Sequence, residues 1–261
     1  MAQRLGIIGA MPQEIDLITA DLETEHIERI AGRSYHIGTF SGCESVVVFS
    51  RWGKVAAAMT ATVLIERFGV DLIVFTGVAG AVSPVLNVGD VVVADRLLQH
   101  DFDVSPTGLY AKFEIPLLGV SYFPVDSRLV ELAKAATEQY LAGKDEGDSQ
   151  QPSPAPSFGK EGVLQHHVYV GTIASGDQFI AHPDRLEELR AAIPDLLCVE
   201  MEGAAVAQVC HEYGVPFLVI RTISDKADHS APVDFVSFIQ EVARKYSYGI
   251  LKRLVPALSE P

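Results

Sequence analysis

The sequence predicts an α/β fold in a single domain. Short, β-branched apolar runs alternate with amphipathic stretches along the whole chain, which is the pattern of strands and helices that share one sheet. The chain has 261 residues, of which 48% are hydrophobic, and no shift in composition divides it into halves. This length and apolar content are sufficient for one large core.

The first third of the chain begins with a strand and a helix. Residues 4–9 form an apolar run that predicts a buried strand, and Pro12 suits the first turn of the helix that follows. Residues 35–40 and 44–50 are joined by a Ser-Gly-Cys turn and predict an antiparallel hairpin. Residues 55–68 predict a helix.

The middle of the chain predicts interior strands. Residues 71–76 and 90–94 have the length and β-branched composition of strands covered on both faces. The small residues 77–81 predict a loop that leaves the first of these strands and brings its backbone amides close to a ligand. A helix is predicted over 127–140 and a further strand over 167–173.

The last third ends at a predicted ligand site. Residues 141–160 are charged and then rich in proline, so they predict a mobile surface insertion within the one domain. A strand over 197–199 precedes a helix over 204–213. A last buried strand over 217–223 delivers Ser224 and Asp225 at its carboxyl end, where α/β sheets bind ligands.

Charge and cysteine content exclude several classes of partner. The formal net charge of -14 opposes binding to nucleic acid or to an anionic membrane. Three cysteines without a CxxC spacing predict no disulfide framework and no zinc site, and they favour the cytoplasm. The apolar run at the N-terminus is too short for a secretory core or a membrane span. His166 and His167 predict no metal site, because adjacent side chains diverge on a strand.

Four carboxylates at the ends of apolar runs suggest chemistry, since a buried carboxylate is costly unless it is paired or used. Cleavage of a base from a sugar needs an acid for the base, a carboxylate for water and acceptors for the sugar hydroxyls. Asp225 is the candidate acid and Glu14 the candidate water base. Glu200 and Glu202, which face the same side of an extended backbone, are candidate hydroxyl acceptors.

Each candidate also has a purely structural alternative. The alternatives are a first-turn helix acid for Glu14, an N-cap for Asp225, and ion pairs with Arg221 and Lys54 for Glu200 and Glu202. Phe179 suits stacking on a flat base or burial in the core. Met11 and Met201 suit gap-filling, while Trp52 and residues 109–123 suit a pocket wall, a subunit interface or the core.

The order of these motifs resembles that of the 5′-methylthioadenosine/S-adenosylhomocysteine nucleosidases, a branch of the nucleoside phosphorylase superfamily. The resemblance covers nearly the whole chain apart from the proline-rich insertion. It is carried by six segments in the order of the family: residues 6–11 with Glu14, 53–58, 76–80, 175–177, 199–202 and 223–225.

This resemblance implies a three-layer sandwich with a mixed, twisted central sheet wrapped by helices, a homodimer, and hydrolysis of the adenine N-glycosidic bond without a metal or other cofactor. It implies that Asp225 protonates adenine N7 and that Glu14, helped by Arg221, orients the attacking water. Glu202 is implied to hold the ribose hydroxyls, with Met201 against the sugar.

The resemblance also implies the walls of the pocket. Phe179 is implied to stack on adenine and the Ile180 backbone to read its edge. The 5′ substituent is implied to lie against Met11, Trp52, Met201 and Phe235, with residues 103–123 of a partner subunit as a further wall. The remaining implied pocket residues are Val78, Ala79, Gly80, Glu200 and Ser224. Relatives often carry Ser at position 78, a smaller aliphatic residue at 52 and Gly at 81, so substrate preference stays open.

Three rival functions stay open from the sequence. A phosphorylase of the same superfamily brings arginines to phosphate, whereas the corresponding places here hold residues 11–14 and Phe75, and a carboxylate there repels phosphate. A nucleosidase for futalosine or aminodeoxyfutalosine uses the same scaffold. A non-catalytic nucleoside-binding protein is expected to lose Glu14 or Asp225.

Overall fold

The computed structural model describes residues 4–143, 166–228, 231, 235 and 238–258. Within these residues the strands belong to one mixed sheet. They are β1 (Leu5–Gly9), β2 (Glu23–Ile30), β3 (Arg33–Phe40), β4 (Cys43–Phe49), β5 (Leu72–Ala81), β6 (Val91–Gln99), β7 (Phe123–Pro124), β8 (Val168–Ser175), β9 (Leu196–Glu200) and β10 (Phe217–Asp225).

Helices in the described residues form two packed groups against this sheet. They are α1 (Pro12–Asp21), α2 (Lys54–Phe68), α3 (Ser127–Leu141), α4 (Pro183–Ala192), α5 (Gly203–Tyr213) and α6 (Arg244–Leu258), with a 3₁₀ turn at Ser105–Thr107 and a π-helical turn at Ile239–Ala243. Helices α1 and α3 pack against α6, and α2 packs against α5. The predicted mixed sheet wrapped by helices is confirmed.

The sheet closes on itself at one end. Strand β5 pairs in parallel with β1 and β10, and β10 pairs antiparallel with β6. From β6 the sheet continues through β8 and β9, and β9 returns to β5 in a short antiparallel pairing. Five strands thus form a closed ring, which strong twist permits. The sheet continues from β5 through β1, β4 and β3 to an open edge at β2.

The prediction of a loop over residues 77–81 is wrong. Strand β5 continues to Ala81, because its second half pairs with β10 on one side and with β9 on the other. Small residues here serve close packing between strands rather than a turn. Val78, Ala79 and Gly80 still line the cavity described below, but as part of a strand.

The sequence patterns did not predict β2, α4 or α6. Strand β2 is an exposed edge strand of mostly charged residues, so it has no apolar alternation to detect. Helix α4 buries only Leu186 and Leu189. From residue 144 onward the predicted insertion lies outside the described residues.

Three further sequence predictions concerned the cysteines, the adjacent histidines and a membrane span. Cys43, Cys198 and Cys210 are free and buried. The ring of His166 lies against Tyr246, with their centroids 6.5 Å apart. Across the described part of the chain, no helix combines the length and the apolar character needed to cross a membrane.

Candidate active site

A cavity of about 620 Å³ lies where β1, β5, β9 and β10 end. All fifteen predicted site residues line it: Met11, Glu14, Trp52, Val78, Ala79, Gly80, Phe179, Ile180, Glu200, Met201, Glu202, Arg221, Ser224, Asp225 and Phe235. Ala10, Gln178 and Val199 also line it and were not predicted. Each is the immediate neighbour of a predicted residue, so adjacency to a motif was the available signal.

Glu14 is the most tightly held acid of the cavity. It lies in the first turn of α1 and is only 1% exposed. Its Oε2 accepts hydrogen bonds from the N–H groups of Ala10 (2.6 Å) and Met11 (3.0 Å), and its Oε1 accepts one from Val78 (3.2 Å). Burial raises the pKa of Glu14, and the nearby Arg221 guanidinium and these N–H groups only partly oppose the rise.

Gly77 leaves the space in which Glu14 and Arg221 approach each other. A Cβ atom at this position would lie 2.7 Å from Glu14 Oε1 and 2.9 Å from Arg221 Nη1. Both distances are too short for real contacts, so only glycine fits on this part of β5. The Glu14 carboxylate and the Arg221 guanidinium therefore both lie beside the backbone of Gly77.

Arg221 links two carboxylates at the floor of the cavity. It is 1% exposed, and its Nη2 donates to Glu200 Oε2 at 2.5 Å. Its guanidinium carbon lies 4.1 Å from the centroid of the Phe75 ring. Among the described residues, Arg221 Nη1 has no hydrogen-bond partner and lies near Glu14. This nitrogen therefore lies in the same space beside Gly77 as Glu14 Oε1.

Glu200, the predicted sugar-hydroxyl acceptor, is engaged by groups of the protein itself. Its oxygens already accept from Arg221, from the Ser175 hydroxyl and from the N–H groups of Glu202 and Gly203. Such a satisfied carboxylate holds Arg221 in place, as the structural alternative proposed. The alternative pairing of Lys54 with an acid of this motif is wrong, because Lys54 pairs with Asp101.

Glu202 begins α5 and remains available to the cavity. It is 5% exposed, and its Oε1 accepts a hydrogen bond from the Gly53 N–H at 2.8 Å. Burial and the neighbouring Glu200 carboxylate raise the pKa of Glu202 to about 8. The Glu202 carboxyl group is therefore held at the cavity wall by a backbone donor, the Gly53 N–H just before α2.

Asp225 ends β10 on the opposite side of the cavity floor. Its Oδ2 accepts from the Ser224 hydroxyl (2.8 Å), and its Oδ1 accepts from the Ala227 N–H (2.8 Å) in a local turn. It is 2% exposed. Gly80 faces it across the sheet, and a Cβ there would lie 2.9 Å from Asp225 Oδ1.

Strand β5 contacts both the candidate base, Glu14, and the candidate acid, Asp225. Glu14 is bonded at Val78, and Asp225 pairs with Gly80, two residues further along. Two residues of strand span about 7 Å. Glu14 and Asp225 therefore meet β5 at points about 7 Å apart and line the same cavity.

Aromatic rings form the rim of the cavity. Phe235 contacts Trp52 and Phe179 edge to face, with centroid separations of 6.1 Å and 5.5 Å. Trp52 is 57% exposed and Phe179 is 46% exposed, so neither belongs to the core. The rim thus offers flat apolar surface to a ligand, while the carboxylates lie beneath it.

A mixed sheet that closes into a ring, with buried acids at its strand ends, is the architecture of the phosphorylase superfamily. The family model of that superfamily matches residues 4–256. Within the superfamily, the chain belongs to the 5′-methylthioadenosine/S-adenosylhomocysteine nucleosidase family. The nucleosidase of that name from Geobacillus thermodenitrificans is 37% identical over 257 residues, which are 98% of each chain.

Solved structures agree with this placement. The 5′-methylthioadenosine/S-adenosylhomocysteine nucleosidase of S. pneumoniae, bound to the transition-state inhibitor MT-ImmA, is 36% identical and superimposes with a TM-score of 0.82 over 98% of this chain and 100% of that one. A futalosine hydrolase of Helicobacter pylori is 32% identical, with a TM-score of 0.82 over 98% and 99% of the two chains.

Proposed function

We propose that this protein hydrolyses the N-glycosidic bond of 5′-methylthioadenosine and S-adenosylhomocysteine, releasing adenine and the 5-thioribose. The observation that carries the proposal is the placement of Glu14 and Asp225 about two strand residues apart in one buried cavity. The relatives named above supply the nucleoside substrates of the proposal.

Asp225 acts as the general acid. It donates its proton to adenine N7 while the bond between sugar C1′ and adenine N9 breaks, so the bonding electrons leave with a neutral base. The Ser224 hydroxyl and the Ala227 N–H orient its carboxyl group. The flat base lies against Phe179 at the rim.

Glu14 acts as the base for water. Its raised pKa makes it a stronger proton acceptor than an exposed glutamate, and three backbone N–H groups fix its direction. Water gives its proton to Glu14 as its oxygen bonds to C1′. Arg221 Nη1 and Glu202 hold the water and the ribose hydroxyls, and the buried anions stabilise the positive charge that develops on the sugar.

Water rather than phosphate is the nucleophile in this proposal. The position beside Gly77 is flanked by the Glu14 carboxylate, which repels a phosphate dianion, and Arg221 is already paired with Glu200. The similarity to a futalosine hydrolase favours one second candidate, namely hydrolysis of futalosine or aminodeoxyfutalosine in the same cavity.

We further propose that the protein acts as a homodimer in the cytoplasm. Val55 and Met59 on α2 are 81% and 40% exposed, and Leu109 and Leu117 are 78% and 96% exposed. Such apolar exposure is typical of a subunit interface. In this arrangement residues 103–123 of one subunit complete the cavity of the other. Three free, buried cysteines suit a reducing compartment.

The test measures release of the free base from 5′-methylthioadenosine, S-adenosylhomocysteine, aminodeoxyfutalosine and inosine, each with and without phosphate; the base is adenine for the first three and hypoxanthine for inosine. We expect phosphate-independent release of adenine from the two thio-nucleosides. Release that requires phosphate and yields a sugar phosphate would identify a phosphorylase. Cleavage confined to aminodeoxyfutalosine would select the second candidate, and no cleavage would indicate a binding protein.

A further inference from the structure

Lys54, Asp101 and Asp177 form a closed ring of hydrogen bonds beside the cavity, here called the Asp101 clamp. The Lys54 ammonium donates to Asp101 Oδ1 at 2.5 Å, and the Asp177 N–H donates to Asp101 Oδ2 at 2.9 Å. The backbone N–H of Lys54 donates to Asp177 Oδ1 at 2.8 Å and closes the ring. Both oxygens of Asp101 are therefore engaged, one by each partner.

The clamp joins segments that are far apart in sequence. Lys54 begins α2, Asp101 follows β6, and Asp177 lies in the loop after β8. The Lys54 ammonium also donates to Gln99 Oε1 at 3.0 Å, and the Gln99 amide donates to Gln208 Oε1 on α5 at 2.7 Å. The ring is thus anchored to the helix that Glu202 precedes.

Each clamped segment presents a group to the cavity. Gly53, next to Lys54, donates its N–H to Glu202. Trp52, the residue before Gly53, lies at the rim of the cavity. Phe179 lies two residues beyond Asp177. Of the described residues that line the cavity, none belongs to the clamp itself. The clamp therefore acts on the cavity through the residues beside it.

The geometry around Gly53 shows how closely these segments approach. Gly53 has a φ of +92°, and a Cβ on it would lie 3.0 Å from Asp177 Oδ1. A side chain at this position would both strain the backbone and crowd Asp177. Two consecutive backbone N–H groups are thus held here, that of Gly53 by Glu202 and that of Lys54 by Asp177.

The charges of the clamp are shielded from solvent. The side chains of Lys54 and Asp101 are each 15% exposed, so salt screens them less than a surface ion pair. Burial opposes the ionisation of Asp101, but the Lys54 ammonium and the Asp177 N–H outweigh it and hold the pKa of Asp101 below its usual value. Asp101 therefore remains a carboxylate throughout the neutral range.

We propose that Asp101 is a positioning residue that holds the Gly53 N–H on Glu202 and the Phe179 loop at the rim of the cavity. The inference rests on the proposed nucleosidase function. In D101N one amide oxygen and an NH2 group replace the two carboxylate oxygens, so the Lys54 ammonium or the Asp177 N–H loses its acceptor and the negative charge is gone. The start of α2 and the loop after β8 then separate, and the substrate loses both a fixed ribose acceptor and a fixed stacking surface.

The test compares D101N, K54M and the double variant with D195N. Asp195 pairs with Arg96 at an exposed site away from the cavity, so D195N removes a similar ion pair as a matched control. We expect D101N to lower kcat/KM for 5′-methylthioadenosine by roughly 10-fold to 100-fold, with most of the loss in KM. The kcat/KM of the double variant should lie within about twofold of that of D101N, because both substitutions break the same ring of hydrogen bonds.

Two further readouts separate positioning from a loss of stability. Loss of the Gly53 N–H raises the pKa of Glu202, so the acid limb of kcat/KM against pH should move to higher pH in D101N but not in D195N. Trp52 is the single tryptophan of the chain, so its fluorescence reports the rim without any substrate. We expect a red shift and lower anisotropy in D101N alone.

The outcomes distinguish the inference from the proposed function. If wild type releases no adenine but D101N still changes the Trp52 signal, the proposed reaction is wrong and the clamp still holds the rim. If wild type is active and D101N matches D195N in kcat/KM, pH profile and fluorescence, the inference is overturned. Equal loss of activity in D101N and D195N, in proportion to lost stability, would overturn it as well.

Discussion

Glu14 shows how one residue satisfies a structural and a chemical interpretation at once. As a first-turn acid of α1 it accepts backbone N–H groups, as the macrodipole favours. The third bond, from Val78, comes from a different element and turns the carboxylate into the cavity. Sequence reasoning offered these interpretations as alternatives, but the structure combines them because the N-terminus of a helix meets the middle of β5.

Asp225 provides the sharpest test at the scale of a single residue. Replacing it by Asn keeps its shape but removes the proton that the leaving base needs. We expect D225N to lower kcat by roughly 100-fold to 10,000-fold, the usual contribution of a general acid. Calorimetric binding of an uncleaved substrate analogue, which does not mimic the transition state, serves as the control for an intact cavity. Turnover within a few-fold of wild type would remove Asp225 from the acid role.

The raised pKa of Glu202 predicts that the free energy of unfolding depends on pH. Its pKa is raised to about 8 from the ordinary 4.5, so the folded state keeps a proton that the unfolded state releases between these values. The folded state is therefore favoured at low pH, and this contribution is lost as pH rises toward 8. The free energy of unfolding of wild type, relative to E202Q, should fall by up to about 1.4 kcal/mol per pH unit.

Urea unfolding at several pH values between 5 and 8 measures this difference. E25Q is the control, because Glu25 is exposed on β2 and lies outside the cavity. Curves for wild type and E202Q that stay parallel across this range would show that Glu202 is ionised throughout.

At the scale of elements, β5 determines the site. It pairs with β1, β9 and β10, so it brings the ends of all three to one place. The small residues of its second half allow Glu14, Arg221 and Asp225 to approach the backbone. This role depends on pairing between distant segments, such as Leu5 with Leu72 and Gly80 with Val199, which local patterns do not contain.

Gly77 tests this function of β5. A Cβ there collides with Glu14 Oε1 and Arg221 Nη1, so G77A should displace both groups and lower kcat/KM by roughly 100-fold. G171A is the matched control, because its Cβ would lie 2.7 Å from Leu197 Cδ1, outside the cavity. Both variants should lose stability in thermal unfolding, but only G77A should lose activity beyond that loss. Equal activity in the two variants would contradict the prediction.

At the scale of the whole molecule, the exposed apolar residues predict dimerisation. Val55, in the first turn of α2, is 81% exposed, and an Asp there is compatible with the helix dipole. V55D should therefore fold but shift the protein to monomers in sedimentation velocity, with a loss of activity. I27D, on the exposed strand β2, should leave the assembly unchanged. A monomeric wild type, or a V55D dimer, would contradict the proposed homodimer.

The sequence predicted the strongest elements and the members of the site. The long apolar runs at β1, β5 and β10 and the helix α2 were predictable, because burial imposes a composition that short windows reveal. Strand β2 and helix α4 were not, since exposed elements are stabilised by their neighbours rather than by their own periodicity. The acids were found because they stand at the ends of those runs, whereas pocket residues such as Ile180 and Phe235 were named only by the resemblance to a family.

The sequence by itself determined the α/β class, the acidic charge and the identities of the acids. Only the tertiary structure decided their partners. Glu200 pairs with Arg221, and Lys54 pairs with Asp101. The physical reason is that composition and periodicity act over a few residues, whereas the partner of a buried charge is chosen by which distant strands the sheet brings together.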